Sequence, residues 1–464
     1  MADKKKVVVI GLDCMAPELV FDRWLDKLPN IRRLIDTGIY GRIESSIPPI
    51  TVPAWTTLAT SKNPGKLGFF GFRNRPRSSY TDIEIANSLA VKEPTVWDIL
   101  SRAGKKVGVL GVPQTYPPKP VNGFMVTSFL TPDTTCKYTY PVELMLEIER
   151  LVGDYMLDCE NFRTEDKKGL LDQIYRMTEQ RFKLAKHFLT TRSLDFFIMV
   201  EMGPDRIHHG FWKFFDESHR KYQYHPEYSG AIEKYYVYLD TQIGELLPLV
   251  EEDAYVMIVS DHGAKKMDGC ININDWFIKE GLLKLKSRPQ SVVRIKDADV
   301  DWENTLAWGW GGYYSRVFLN VKGREPLGKI DPQDYERVRD EIAQRIRDIP
   351  DDTGNPMDTR ALKPQEVYTG EHVDEAPDLL VFFGDLSWRV TEDIGHDSTY
   401  GFETELGPDD ALHSQYGMFV LSDGETSNGK EVEGLRLIDC APTILSLMGL
   451  SVPDDMEGRI VRMS

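Results

Sequence analysis

Three apolar segments of this 464-residue chain end in an aspartate: VVVIGL before Asp13, IMVEMGP before Asp205 and YVMIVS before Asp261. One aspartate at the end of a strand is commonly a helix cap. Three brought to one place would repel one another unless a cation or a proton held them. Two of the three also carry histidines. Asp205 and His209 are four residues apart in GPDRIHHGFW, so on a helix they share a face and can share a metal. Asp261 and His262 are adjacent, just before Gly263, and His413 sits in a turn-rich stretch ahead of GMFVLSD. Carboxylates with imidazoles suit zinc, manganese or iron, and no thiolate cluster argues for a structural zinc. Thr51, in PPITVPAWTTLATSKNPG, is the candidate nucleophile. A threonine hydroxyl needs a metal or a base to attack at neutral pH. Pro53 marks a helix start at Thr51, where an N-terminus accepts either a cap or an anion. Thr56, Thr57 and Thr60 fall inside that helix.

These residues need elements to position them. Short β-branched runs alternate with amphipathic helical patterns, which predicts an α/β fold with a large, mainly parallel sheet covered by helices on both faces. The clearest strands are expected over 7–12, 107–112, 196–200, 255–260, 379–383 and 418–422, and helices over 141–152, 170–190, 228–250 and 332–348. In such a sheet the carboxyl ends of the strands share an edge, and the three aspartates would gather there. Residues 63–80, rich in Gly, Arg and Phe, read as a long loop. Residues 284–328, with Trp302, Trp308 and Trp310, read as an aromatic, glycine-rich insertion near the active site. With no internal repeat or low-complexity linker, 1–464 reads as one domain with insertions.

Composition narrows the partners. Against 56 basic residues stand 73 acidic ones, a net charge of −17, which argues against a nucleic-acid polymer. An anionic substrate would need a local reversal of sign, and bound cations are the simplest source. The five cysteines are scattered and form no CxxC pair, which fits a reduced, cytoplasmic protein. The start, MADKKKVVVIGLDC, has too short an apolar run for a signal peptide, and no stretch approaches the ~20 apolar residues of a membrane span. His187, His219, His225 and His372 read as surface residues, and Asp409-Asp410 and 371–378 as solvated acidic faces.

Taken in order, Asp13, Thr51, the PDRIHH run, SDHG and His413 resemble the alkaline phosphatase superfamily, most closely its type I phosphodiesterase/nucleotide pyrophosphatase branch. The resemblance covers nearly the whole chain, including FLNVKGREPLG and the ending DCAPTILSLMGLSVPDDMEGR. It implies an alkaline-phosphatase-like fold and two divalent ions, zinc first and manganese as the alternative. Asp205, His209 and His413 would hold one ion, and Asp13, Asp261 and His262 the other, with Thr51 bound to it. His208 stands as the alternative to His209, and His396 to His413. The implied reaction is in-line attack by Thr51 on the phosphorus of a small phosphorylated substrate, nucleotides among the candidates, followed by hydrolysis of the phosphothreonine. A phosphomutase, phosphotransferase or phosphomonoesterase outcome, or a non-catalytic binding protein, are the other readings. Where nucleotide pyrophosphatases carry a phosphoryl-binding asparagine this chain has Phe72, leaving Asn74, Arg73, Lys265 or a backbone amide to replace it. Thr51, Pro53 and Trp55 lack the sulfatase signature, and the absence of an arginine near Thr51 disfavours a dedicated monoesterase. Trp308, Trp310, Tyr313 and Tyr314 are expected either to stack on a base or sugar or to pack the insertion onto the sheet. Phe69, Phe70 and Phe72 are candidates for a leaving-group pocket.

Overall fold

A computed structural model describes residues 6–250, 254–426 and 429–463; the basic start of the chain lies outside these. Its main sheet has ten strands: β1 (Lys6–Leu12), β2 (Gly38–Glu44), β3 (Val107–Leu110), β4 (Gly123–Val126), β5 (Thr139–Tyr140), β6 (Phe196–Glu201), β7 (Ala254–Val259), β8 (Tyr416–Ser422), β9 (Lys430–Glu431) and β10 (Leu435–Arg436). They run in the order β9-β2-β8-β7-β1-β6-β3-β4-β5, with β10 also on β2. The centre, β7-β1-β6-β3-β4, is parallel throughout. That is why β1 and β6 read as unbroken apolar runs: both faces are covered. Helices α1 (Thr51–Thr60), α2 (Lys167–Thr191), α3 (Gly203–Phe215) and α4 (Ala231–Leu246) are among those packed around it.

Two expected strands differ from the parallel scheme. The 418–422 segment joins the sheet as β8 but antiparallel to β7. The 379–383 segment leaves it: Leu379–Phe382 pairs antiparallel with Ser315–Leu319 and Arg360–Leu362 in a separate four-stranded sheet that also holds Ala307–Trp310. A short buried apolar run looks the same in either sheet. Helix starts shift as well. The 141–152 helix begins at Leu144, and the 332–348 helix opens with a 3₁₀ turn, Pro332–Asp334. The 63–80 loop holds a short helix at Pro64–Leu67 and a two-residue strand at Arg73–Asn74.

The second sheet has its own apolar core, built on Phe277, Trp308, Trp310, Val317, Leu379 and Val390. Of the two roles open to the insertion's tryptophans, Trp308 and Trp310 take packing, since both are fully buried there. Phe69 and Phe70 are buried in small satellite clusters, while Phe72 stays partly open.

Candidate metal centre

Strand register brings the acids together. β1 lies between β6 and β7, with Leu12 opposite Glu201 and Gly11 opposite Val259. Asp13 leaves β1, Asp205 sits in the first turn of α3 just past β6, and Asp261 follows β7, so all three emerge at one carboxyl edge. The short strand Gly263–Lys266 then pairs with Ala411–Ser414, Ala264 opposite His413, which delivers His413 beside His262. Their rings stack with centroids 3.8 Å apart.

Two ligand sets result, each with its donor atoms within 4.8 Å of one another: Asp205, His209 and His413, and Asp13, Asp261 and His262. All six side chains are buried. Asp205 Oδ1 lies 3.4 Å from His209 Nε2 and 3.5 Å from His413 Nε2. His262 Nε2 lies 3.2 Å from Asp261 Oδ2 and 4.0 Å from Asp13 Oδ1.

Four of these side chains are tethered at one atom and unpartnered at the other. Asp13 Oδ2 accepts from Trp55 Nε1 at 2.7 Å, and Asp261 Oδ1 from the Cys14 amide at 3.1 Å. His262 Nδ1 donates to the Gly263 carbonyl at 3.2 Å, and His413 Nδ1 to that of Pro49 at 2.9 Å. The opposite atoms, Asp13 Oδ1, Asp261 Oδ2, His262 Nε2 and His413 Nε2, are buried without a hydrogen-bond partner. Buried polar atoms are rarely left so. A proton held on Nδ1 leaves a lone pair on Nε2, the form in which imidazole ligates metal. The residues therefore fit divalent cations.

Electrostatics divide these side chains: burial works against a charged His209, but Asp409 and Tyr313 hold it well above the usual imidazole range. Burial, then the charge of Asp205, holds Asp13 well above the usual carboxylate range, and burial and Asp13 do the same to Asp261. Burial works against Asp205 too, but His209 and Arg206 hold it well below that range. Burial pushes His262 and His413 down, keeping both neutral.

Thr51 is buried at the first position of α1, whose N-terminus has no side-chain cap. The residues on either side of it touch both ligand sets, Pro49 through His413 and Trp55 through Asp13. Thr56 and Thr60 bond back to carbonyls inside the helix, as rivals within it should.

The alternatives separate. His208 points into the core, its Nε2 2.9 Å from the Tyr236 hydroxyl, and His396 is an exposed loop residue. Neither joins a ligand set. Of the replacements for the missing asparagine, Asn74 accepts from the Phe70 amide and Lys265 donates to Asp385. Arg73 makes no side-chain hydrogen bond or ion pair among the described residues, and it lines the cavity described below.

Several functional neighbours carry no sequence signal. Asp409 and Asp410 are buried rather than solvated, and Asp409 Oδ1 accepts from His209 Nδ1 at 2.6 Å while Oδ2 accepts from Arg163 at 2.7 Å. Asp378, at the end of the other acidic run, is buried against Arg324, and His219 is buried against the Asp410 carbonyl. Cys14, held at φ 62°, can join His262 and His413 as a third donor set. Arg206, one residue past Asp205, pairs with it and clamps Asp158 with bonds of 2.8 and 2.6 Å. Arg206 thus brings a guanidinium beside Asp205, from a helix far along the chain from Thr51. Among the described residues no helix is long and apolar enough to cross a membrane.

A cavity of about 360 Å³ opens beside the centre, walled by Phe72, Phe129, Phe162 and Tyr313. Tyr313, from the 284–328 segment, stacks on His413 at 3.9 Å between centroids.

A mostly parallel sheet with buried carboxylates and imidazoles gathered at its carboxyl edge is an α/β arrangement whose side chains could hold a metal ion. The sequence profile of the type I phosphodiesterase / nucleotide pyrophosphatase family matches residues 7–409. The chain belongs to that family, within the alkaline phosphatase superfamily, and is a phosphoric ester hydrolase of phosphodiesterase/pyrophosphatase type. Its fold is similar to phosphonoacetate hydrolase from Sinorhizobium meliloti in complex with phosphonoformate (TM-score 0.61, 14% identity, 96% of each chain covered). It is also similar to murine ectonucleotide pyrophosphatase/phosphodiesterase 5, an inactive variant in complex with AMP (TM-score 0.53, 12% identity, 97% of this chain and 96% of that one). The human form of the latter gives a TM-score of 0.52 at 12% identity, over 97% of this chain and 96% of that one. No curated protein sequence matches the chain.

Proposed function

We propose that this protein hydrolyses phosphodiester or pyrophosphate bonds of a small, nucleotide-like substrate through a covalent ester on Thr51, with a divalent ion in each ligand set. The observation that carries the reading is the four buried, unpartnered donor atoms, each held in place by a hydrogen bond to its other end. Bound divalent ions supply Lewis-acid polarisation of a phosphoryl oxygen and a lowered pKa for a coordinated hydroxyl or water. Zinc suits these nitrogen and oxygen donors, and manganese is the alternative.

The chain's own groups do the rest. Thr51 Oγ gives its proton to solvent and attacks phosphorus in line, and the P–O bond to the opposite arm breaks, so that arm departs as an oxyanion. The Thr51 ester keeps the other arm until water attacks the same phosphorus and restores the hydroxyl. The uncapped N-terminus of α1 favours the anionic phosphoryl group. Arg73 is the side chain we assign in place of the missing asparagine. Five unpaired cysteines suit a reducing compartment, which supports a cytoplasmic location.

The reading is tested by quenching the enzyme in acid during turnover of bis-p-nitrophenyl phosphate and mapping the adduct by mass spectrometry. A p-nitrophenyl phosphoryl group on the peptide containing Thr51 is expected. An adduct on any other residue removes Thr51 from the reaction.

A further inference from the structure

The cavity beside the centre reverses the sign of the molecule. Five arginines line it against three acids, Asp158, Glu392 and Glu405, in a chain of net charge −17. Two of the arginines are already engaged: Arg206 by Asp158 and Asp205, and Arg163 by Asp409 and the Tyr313 hydroxyl. Arg316 and Arg389 are different. Arg316 is buried and has no acidic partner among the described residues; its guanidinium donates to the carbonyls of Arg73 and Gly311 and lies 5.3 Å from the Trp310 ring centroid, and its Nε is unpartnered. Arg389 has a side chain only 3% exposed, with one contact to Glu405 at 3.3 Å and both Nε and Nη1 buried without a partner. Its Cζ lies 5.4 Å from the ring centroid of Tyr313, which itself stacks on His413. Buried guanidinium donors without acceptors are costly, and an oxyanion is the group that satisfies them in a fixed fork.

We propose that this cavity receives a second oxyanion, a carboxylate or phosphate on the substrate arm that stays on the enzyme, held by Arg389 and Arg316. The inference rests on the hydrolase reading and narrows it. Phe72, Phe129 and Phe162 line the same cavity and give the body of that arm apolar walls. A substrate with one charged phosphoryl group and one charged terminus, separated by an apolar or aromatic spacer, matches this layout. A diester with two neutral arms fills only half of it.

The test compares three diesters that release the same p-nitrophenolate and differ in the retained arm: phenyl, 4-carboxyphenyl and 4-phosphonophenyl. The wild-type enzyme should show kcat/KM roughly tenfold or more higher for at least one anionic arm than for phenyl, the size expected of charge-assisted hydrogen bonds. Which anionic arm leads decides between carboxylate and phosphate. In Arg389→Met that ratio should fall to about one whatever the absolute rate, and Arg389→Lys should restore part of it. Arg316→Met, whose folding is checked by circular dichroism, should lower the ratio too. A wild-type ratio near one, or a ratio that survives in both methionine variants, overturns the proposal. If no diester is turned over, the hydrolase reading has failed on its own account. Calorimetric titration with 4-carboxyphenyl phosphate and phenyl phosphate then decides the subsite. Roughly tenfold tighter binding of the carboxylated ligand upholds it, and equal or absent binding of both overturns it.

Discussion

At the scale of single residues, four of the six candidate ligands have one end fixed by a hydrogen bond and the other buried without a partner. His413 is the clearest case, with Nδ1 on the Pro49 carbonyl and Nε2 facing Asp205. His413→Ala should therefore cost about one metal equivalent per chain by elemental analysis while the other set still loads; unchanged stoichiometry would remove His413 from the ligand set. That Asp13, Asp205, His209, Asp261 and His262 come together was legible because each follows a strand end closely or shares a helix face with one that does. Asp409 was not. Its partner His209 is 200 residues away in sequence, and nothing in an Asp-Asp pair distinguishes a buried anchor from a solvated face. Arg163 and Arg389 were hidden for the same reason: their value comes from what faces them.

At the scale of elements, the site depends on how closely α1 approaches β1. A side chain at Gly11 would place its Cβ 2.5 Å from Trp55 Cη2 and 2.9 Å from the Met199 carbonyl. The glycine lets the indole pass over the strand and donate to Asp13. Gly11→Val should destabilise the fold by about 1–3 kcal/mol in urea unfolding and also cut turnover, because Trp55 must move. Stability lost with kinetics intact would mean that Trp55 does not set Asp13. The parallel centre of the sheet was readable from β1, β6 and β7, whose apolar runs end in the marked acids. The second sheet was not, since Leu379–Phe382 is a four-residue buried run with no period of its own, and its partners lie far along the chain. The tryptophans of 284–328 likewise gave composition without direction.

At the scale of the whole molecule, the excess of acid is managed by burying some carboxylates against cations and leaving others poorly paired. Asp410 is of the second kind. Burial pushes its pKa up to about 7, with Lys213 3.9 Å away offsetting only part of the cost. A carboxyl whose folded pKa lies above its unfolded value of ~3.9 favours the folded state at low pH. That advantage falls as pH rises from about 4 to about 7 and is then gone. Asp410→Asn should thus be more stable relative to wild type at pH 8 than at pH 5, by no more than about 3 kcal/mol. Urea unfolding at the two pH values measures this, and an equal difference at both would refute the shift. The net charge was plain from composition, but its reversal inside the cavity was not, because it depends on which arginines, drawn from a helix, a loop and separate short strands, line one cavity.

The most direct test of the account is elemental analysis of the purified protein beside hydrolysis of bis-p-nitrophenyl phosphate by wild type and Thr51→Ala. About two divalent transition-metal ions per chain are expected in both proteins. Turnover should be present in wild type and fall by roughly a thousandfold or more in the variant. Two metals with turnover unaffected by loss of the Thr51 hydroxyl, or no metal bound after reconstitution with zinc or manganese, would contradict it.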